Sequence, residues 1–385
     1  MKNCRFWLLA ALVLASSCAP ETLLPEAVPR PKDAGSTATV ALDHKASSLL
    51  WLAERQFPNG LVESAEASDF VSLYDNALAA LVFLRSGEAE KAREIFEYFK
   101  GRQQAEFNES GGGFYQFRNT AGNNRSRIWL GDNAWLLIAL RHYRHATADP
   151  RYEGLETSLE TWIRSLQQEN GSLKSGWNED GTQIPLVTEG MITAFAAISG
   201  FDDFHQGILD YLTAERWSDN ESLLLAQQTG GAYAYALDLH SLPALIWEGA
   251  SHGFLQQANR YYTVQHHQLN AKQVGGYCFD EDRDVVWLEG SAQMALAYRR
   301  SGDPEAYRQT LEALEQSFIE SGIPEGPGAL PYAANPGSSF GAAPLWPEAH
   351  RRAAVSATAW YVLAQLNFNP LSLEGEVKPM PGSNP

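Results

Sequence analysis

The sequence predicts an all-α fold of one domain, in which six helical hairpins close into a ring of six inner and six outer helices. Two repeats predict it. The first is an acidic residue at the head of an apolar run, seen in Tyr74-Asp75-Asn76-Ala77, Gly131-Asp132-Asn133-Ala134-Trp135, Thr188-Glu189-Gly190, Leu237-Asp238-Leu239-His240 and Leu288-Glu289-Gly290-Ser291. A sixth run, from about Ala353 to Leu366, is entered through His350-Arg351-Arg352. The starts lie about 45–65 residues apart, too long for a tetratricopeptide array and right for a helical hairpin with a long loop. The second repeat is a turn after each outer helix that carries Gly or Gln, usually with an aromatic nearby. Its instances fall at residues 56–60, 111–115, 167–171, 227–233, 273–277 and 326–332. Glycine allows the tight reversals that bring the chain back across a ring.

Taken in order, the chain opens with a targeting segment. Lys2 and Arg5 precede an apolar stretch, Phe6 to Ala15, that is too short for a membrane span. Leu14-Ala15-Ser16-Ser17-Cys18 then resembles a bacterial lipobox, with Ala15 where Leu or Val is usual. Residues 1–18 thus read as a lipoprotein signal peptide ending at a lipid-bearing Cys18, and the Pro-rich stretch 19–36 reads as a tether. The domain is expected over 37–370, with a disordered tail over 371–385. Its first helix, about 41–56, is amphipathic and pairs with the apolar last helix, 353–366, to close the ring. Between them, inner helix 75–85 is apolar on all sides and therefore buried. The segment 88–104 carries Ala92, Ile95, Phe96 and Phe99 at helical spacing among Glu and Lys, which makes it an outer helix. The same alternation predicts inner and outer pairs at 132–145 and 152–168, 189–199 and 203–216, 238–249 and 252–268, and 289–300 and 304–320. His266-His267 falls in the fourth outer helix and is expected to be solvated.

Composition narrows the function classes. The net charge of −17 disfavours nucleic acid and anionic membrane as partners. Three cysteines, one in the signal and one at the lipobox, leave Cys278 alone, so there is no disulfide framework and no cysteine zinc site. Asp280-Glu281-Asp282-Arg283-Asp284 lacks the spacing and glycine of a calcium loop and reads as a solvated loop at the cleft rim. No nucleophile elbow, phosphate loop or dinucleotide fingerprint appears, and no cofactor or metal is expected.

With its alternating buried and amphipathic helices, its Gly- and aromatic-rich turns, and its heads Tyr-Asp-Asn-Ala, Gly-Asp-Asn-Ala-Trp and Trp-Leu-Glu-Gly, the chain resembles the six-hairpin glycosidase superfamily over about residues 40–370. The resemblance implies an (α/α)6 toroid with a sugar-binding cleft at one end of the inner barrel and Asp and Glu as catalytic groups. An acidic residue in a first helical turn is also what the helix dipole favours. A helix dipole, however, asks for no indole beside it, and Trp135 and Trp287 flank Asp132 and Glu289. Aromatic faces stack on sugar rings. Glycoside hydrolysis needs two carboxyls across the scissile bond. In a six-membered ring the second and fifth inner helices stand opposite, so Glu289 is expected as general acid and Asp132 as base or nucleophile, with Asp75 and Glu189 in reserve or binding substrate. Tyr74, Trp129, Trp135, Trp177, Trp287 and His350 are the expected substrate contacts, and Asp238, without an adjacent aromatic, ranks lower.

The expected function is a lipid-anchored glycoside hydrolase of the bacterial cell envelope, facing the periplasm or exterior, with a carbohydrate substrate and membrane contact through the anchor only. Two other readings stand beside it. One is a polysaccharide lyase or sugar epimerase on the same fold, for which Tyr74, His240, His350 and Arg351 would serve as bases and charge neutralisers. The other is a non-catalytic glycan-binding envelope lipoprotein.

Overall fold

The computed structural model describes residues 43–373, apart from 124–125, 229–230, 248, 250, 322–326, 338 and 341–342, together with Lys378. The signal peptide, Cys18 and the tether lie outside the described residues.

Among the described residues twelve α-helices alternate between two layers. The inner ones are α2 (Leu73–Arg85), α4 (Leu130–Thr147), α6 (Thr188–Ala197), α8 (Asp238–Ile246), α10 (Leu288–Ser301) and α12 (Val355–Gln365). Each packs on the next, and α12 packs on α2, so the ring closes. The outer ones are α1 (His44–Glu54), α3 (Ala89–Arg102), α5 (Glu153–Ser165), α7 (Asp203–Glu215), α9 (Ser251–Gln257) and α11 (Pro304–Glu315). They pack on α12, α2, α4, α6, α8 and α10 respectively, as the first-with-last pairing requires. In α2 the run from Ala77 to Phe83 is buried throughout, whereas α3 buries only Ala92, Ile95, Phe96 and Phe99. Among the described residues only short antiparallel strand pairs accompany the helices. Among the described residues no helix is long and apolar enough to cross a membrane.

The head of every inner helix is bolted to the next hairpin by the same backbone bond. The amide of the first helical residue, or in α8 of the residue just before it, donates to a carbonyl in the loop that leads into the following inner helix. The pairs are Leu73 to Gln116 (2.8 Å), Leu130 to Ser175 (2.9 Å), Thr188 to Ala226 (3.0 Å), Leu237 to Phe279 (2.8 Å), Leu288 to Tyr332 (3.1 Å) and Val355 to Ser64 (2.8 Å). Helix N-terminal amides have no partner inside the helix, so a loop carbonyl at each head satisfies a group that burial would otherwise strand. The Asp-Asn-Ala heads divide the labour further. Asn76 grips the preceding loop through the Val62 amide (2.8 Å) and carbonyl (3.0 Å), and Asn133 does the same with Phe114 (2.7 and 3.1 Å). The glycine turns are also specific: a Cβ on Gly60 would stand 2.2 Å from the Glu94 carbonyl oxygen, and one on Gly171 2.0 Å from that of Gly207.

Two expectations are corrected. The outer helix expected at 252–268 ends at Gln257, and after one turn of 3-10 helix the chain forms a hairpin of Tyr262–His266 with Gln273–Tyr277. β-Branched Thr263 and Val264 favour the extended form, and Ala271, at φ 56°, helps turn the chain. His266 is accordingly on a strand, and His267 is buried rather than solvated. The tail, expected to be free after Pro370, is held where it is described. Leu371 is buried, the Pro370 carbonyl meets His142 Nε2 at 2.8 Å, and Lys378 Nζ donates to the carbonyls of Phe195 (2.6 Å), Ala196 (3.1 Å) and Ile198 at the end of α6. A cation there satisfies the open carbonyls and the negative end of the dipole. Lys378→Met should therefore destabilise the domain by about 1.5 kcal/mol, read as a lowered urea midpoint with unchanged slope.

Candidate functional site

The six bolted heads place five acidic side chains around one opening. Asp75, Asp132, Glu189, Asp238 and Glu289 each sit in the first turn of an inner helix, and all five line a single cavity of about 560 Å³. Tyr74, Trp129, Trp135 and Trp287 line it as well, so the structure brings together every acidic candidate and four of the six expected substrate contacts.

The other two lie elsewhere. Trp177 pairs with Ile128 across a short antiparallel ladder in which Trp129 pairs with Gly176. Directly opposed residues share a face and successive ones alternate, so Trp177 shares the face of Ile128, away from that of Trp129. His350 is buried beside Ala349, which packs with Cys278, Val285 and Ala333 outside the cavity wall, and its Nε2 accepts from Arg351 Nε at 3.1 Å.

Packing explains the glycines in the acidic heads. A Cβ on Gly131 would come within 2.9 Å of Glu189 Oε2, and one on Gly290 within 2.1 Å of the Trp287 ring. Glycine at these points lets the Glu189 carboxyl lie over the neighbouring helix α4 and the Trp287 indole lie over the first turn of its own helix α10.

Each carboxyl has its own surroundings. Glu289 Oε1 accepts from the Tyr74 hydroxyl at 2.7 Å, and Trp360 Nε1 donates to that hydroxyl at 2.7 Å, which fixes the order of the chain. Gln293, itself held by Ser241, also reaches Glu289 Oε1. Asp132 Oδ1 accepts from Gln116 Nε2 at 3.2 Å, and Arg127 Nε donates to Gln116 Oε1. Arg127 stacks over the Trp129 ring at 4.6 Å and is the one cation among the described residues that line the cavity. Thr193 Oγ1 meets Glu189 Oε1 at 2.8 Å. Burial raises all five. Glu289 rises to about 8, with Asp75 adding like charge. Asp132 rises to about 7, with Arg127 opposing the rise and Glu189 adding to it. Asp75 rises to about 7, opposed by a Ser64 hydrogen bond. Glu189 is raised, and Asp238 is raised well above the usual carboxylate value, by burial and then by Glu189 and Glu289.

Known structures match this architecture closely. A novel alpha-amylase from Clostridium perfringens aligns at TM-score 0.62 and 13% identity, over 85% of this chain and 99% of that one. A cellobiose 2-epimerase from Bacillus thermoamylovorans aligns at 0.58 and 12%, over 83% and 95%. A D-mannose isomerase aligns at 0.59 and 12%, over 85% and 96%. The fold shared with these structures is the (α/α)6 toroid. No protein-family profile and no curated protein matches the chain by sequence.

Several wall residues of this toroid were not singled out from the sequence. Gln116, Arg127, Tyr233, Tyr332 and Trp346 come from the long loops between helices, whose path no periodicity fixes. Tyr332 and Trp346 follow the fifth hairpin, and their rings lie 6.3 Å apart. Asp238 was ranked low for want of a neighbouring aromatic; Tyr233, five residues upstream, lines the wall with it. The position common to all five acidic heads was the signal that would have promoted it.

Proposed function

We propose that the chain is a glycoside hydrolase, with Glu289 as general acid and Asp132 as general base or nucleophile. The observation that carries this reading is the placement of two protonatable carboxyls on opposite helices, α10 and α4, across one aromatic-lined cavity. Their surroundings separate their titrations. Arg127 favours the ionised form of Asp132, whereas Glu289 faces Asp75 and titrates higher, near 8 against about 7. Divergent environments assign acid and base roles to two like groups. Glu289 gives its proton to the glycosidic oxygen as the bond to the anomeric carbon breaks. Asp132 either removes a proton from the incoming water or attacks the anomeric carbon itself, and water then releases the sugar. Trp129, half-buried, offers a face on which a sugar ring can stack, while Trp135 and Trp287 line the same cavity almost wholly buried. Asp75 and Glu189 bind substrate hydroxyls.

Some neighbours are an epimerase and an isomerase, and proton abstraction beside a carbonyl calls for a base such as His. Here His240 is buried against the Phe254 carbonyl and Tyr261, His350 and Arg351 lie off the cavity wall, and no imidazole is among the described lining residues. Of the four groups expected to serve that chemistry, Tyr74 alone lines the cavity, and its hydroxyl is engaged by Glu289 and Trp360 and held in the protonated form by burial, which supports hydrolysis over lyase or epimerase chemistry. Incubation with a broad polysaccharide panel should release reducing ends from at least one member. Binding without release across the whole panel would make this a glycan-binding protein instead.

The lipobox extends the proposal to location: Cys18 carries lipid and holds the domain at the outer side of a bacterial membrane. Cys18→Ser should move the protein from the membrane to the soluble fraction with its circular dichroism unchanged; equal partition of both forms would refute the anchor.

A further inference from the structure

Hydrolysis of a glycosidic bond takes two carboxyls, yet five line this cavity. Three of them, Asp132, Glu189 and Asp238, open the consecutive helices α4, α6 and α8. Glu189 is a charge neighbour of both others. Its own oxygens are served by Thr193 and by the Trp129 indole. The flanking pair is not fully served: Asp132 Oδ2 and Asp238 Oδ1 are buried with no hydrogen-bond partner among the described residues. Asp132 is only 6% exposed. A buried acceptor left unpaired is destabilising, and more so when charged. Arg127 compensates Asp132 in part. The charges beside Asp238 are Glu189 and Glu289, both of its own sign. Burial holds these carboxyls toward the protonated form, and once ionised they have only Arg127 among the described lining residues to offset them, with least help on the Asp238 side.

A bare divalent ion does not supply that help. Among the described residues the one place where three ligand-type side chains bring donor atoms within 4.8 Å of one another is Cys278, Asp280 and Asp282, and none of these lines the cavity. A cation that draws the proton from this wall would come on a ligand large enough to meet the aromatic side chains. Uronates and sulfated sugars carry the wrong sign. We propose that the cleft takes an amino sugar with a free amine, its ammonium held at Asp238 Oδ1 beside Glu189. The proposal rests on the reading of the cavity as a sugar cleft; it names the class of sugar and the residue that selects it. Tyr233, on the same side of the wall, is placed to face the ring that carries the amine.

The test uses monosaccharide pairs that differ only in the 2-substituent, which removes any dependence on linkage. Glucosamine, galactosamine and mannosamine are each compared with their N-acetyl and 2-hydroxy counterparts, with binding to the purified full-length protein read from tryptophan fluorescence. In at least one set the amine should bind ten-fold or more tightly than both counterparts, and Asp238→Asn should bring that ratio to about one. No amine preference in any set overturns the proposal, as does a preference that survives in a folded Asp238→Asn protein. If that variant does not fold, the wild-type comparison decides alone. The outcome is separable from the hydrolase reading. Turnover of a neutral glycan with no amine preference sinks this inference and leaves the hydrolase. An amine preference with no turnover of any glycan does the reverse.

Discussion

Glu289→Gln is expected to lower turnover of a susceptible glycan by roughly 10²–10⁴-fold, the usual worth of general acid catalysis, without lowering the melting temperature. The amide keeps the side-chain volume, and its oxygen can still accept from the Tyr74 hydroxyl, so the Trp360–Tyr74 chain persists. What is lost is the proton. The pH profile makes the assignment specific. The proposed reaction needs Asp132 ionised, which would set a rising limb near 7, and Glu289 protonated, which would set a falling limb near 8. Activity should peak between the two, and the falling limb should vanish from whatever activity the Gln variant retains. Asp132→Asn should cut turnover comparably and remove the rising limb. Stability moves the other way. Burial raises Glu289 from 4.5 to about 8, so the folded state binds this proton more tightly than the unfolded chain does. The stabilisation is complete below the unfolded value and is lost as pH rises toward 8. Glutamine has no such loss, so the variant's melting temperature should gain on the parent's as pH rises from 5 to ~8. Near-normal turnover in both variants would move the chemistry to Asp75 and Glu189.

The ring was legible because its signals are repetitive and local. An inner helix such as 75–85 is apolar on every face, and an outer helix such as 152–168 carries its stripe at Leu155, Leu159, Trp162 and Ile163, so periodicity alone separates the layers. The hairpin at 262–277 was misread because Tyr262, Val264 and the neighbouring histidines also fit a loose helical pattern, and only its pairing with Gln273–Tyr277 settles the period as two. In the site, the acidic heads were legible because the helix start fixes where Asp or Glu points. The loop contributions were not. Nothing local in Arg127 or Gln116 shows that they meet across a turn to bear on Asp132, and Trp177 and Trp129 look alike in sequence although strand pairing sends them to opposite faces.

Glu106→Ala should destabilise the domain by about 3–5 kcal/mol, because it strands a charge in the interior. Glu106 and Arg118 are 2% and 3% exposed and face each other through two parallel bonds of 3.0 and 3.1 Å. Both partners also hold the same residue: Glu106 Oε1 accepts the Tyr115 amide at 2.8 Å, and Arg118 donates to the Tyr115 carbonyl at 2.7 Å. The Arg118 guanidinium lies over the Phe99 ring at 5.0 Å, an apolar face that cannot replace the lost carboxylate. The consequence reaches the cavity. Gln116 lies between Tyr115 and Phe117, gives its carbonyl to the head of α2 and its side chain to Asp132. Loosening Tyr115 therefore frees the group that joins Arg127 to the proposed base. Glu106→Gln keeps the shape and one acceptor and should cost less than the alanine. The measurement is urea unfolding of both variants beside turnover at a temperature where each remains folded. A folded Glu106→Ala protein with parental turnover would show that the loop holds Gln116 in place without this pair. A loss of turnover larger than the unfolded fraction explains would show that the buried pair sets the position of Asp132.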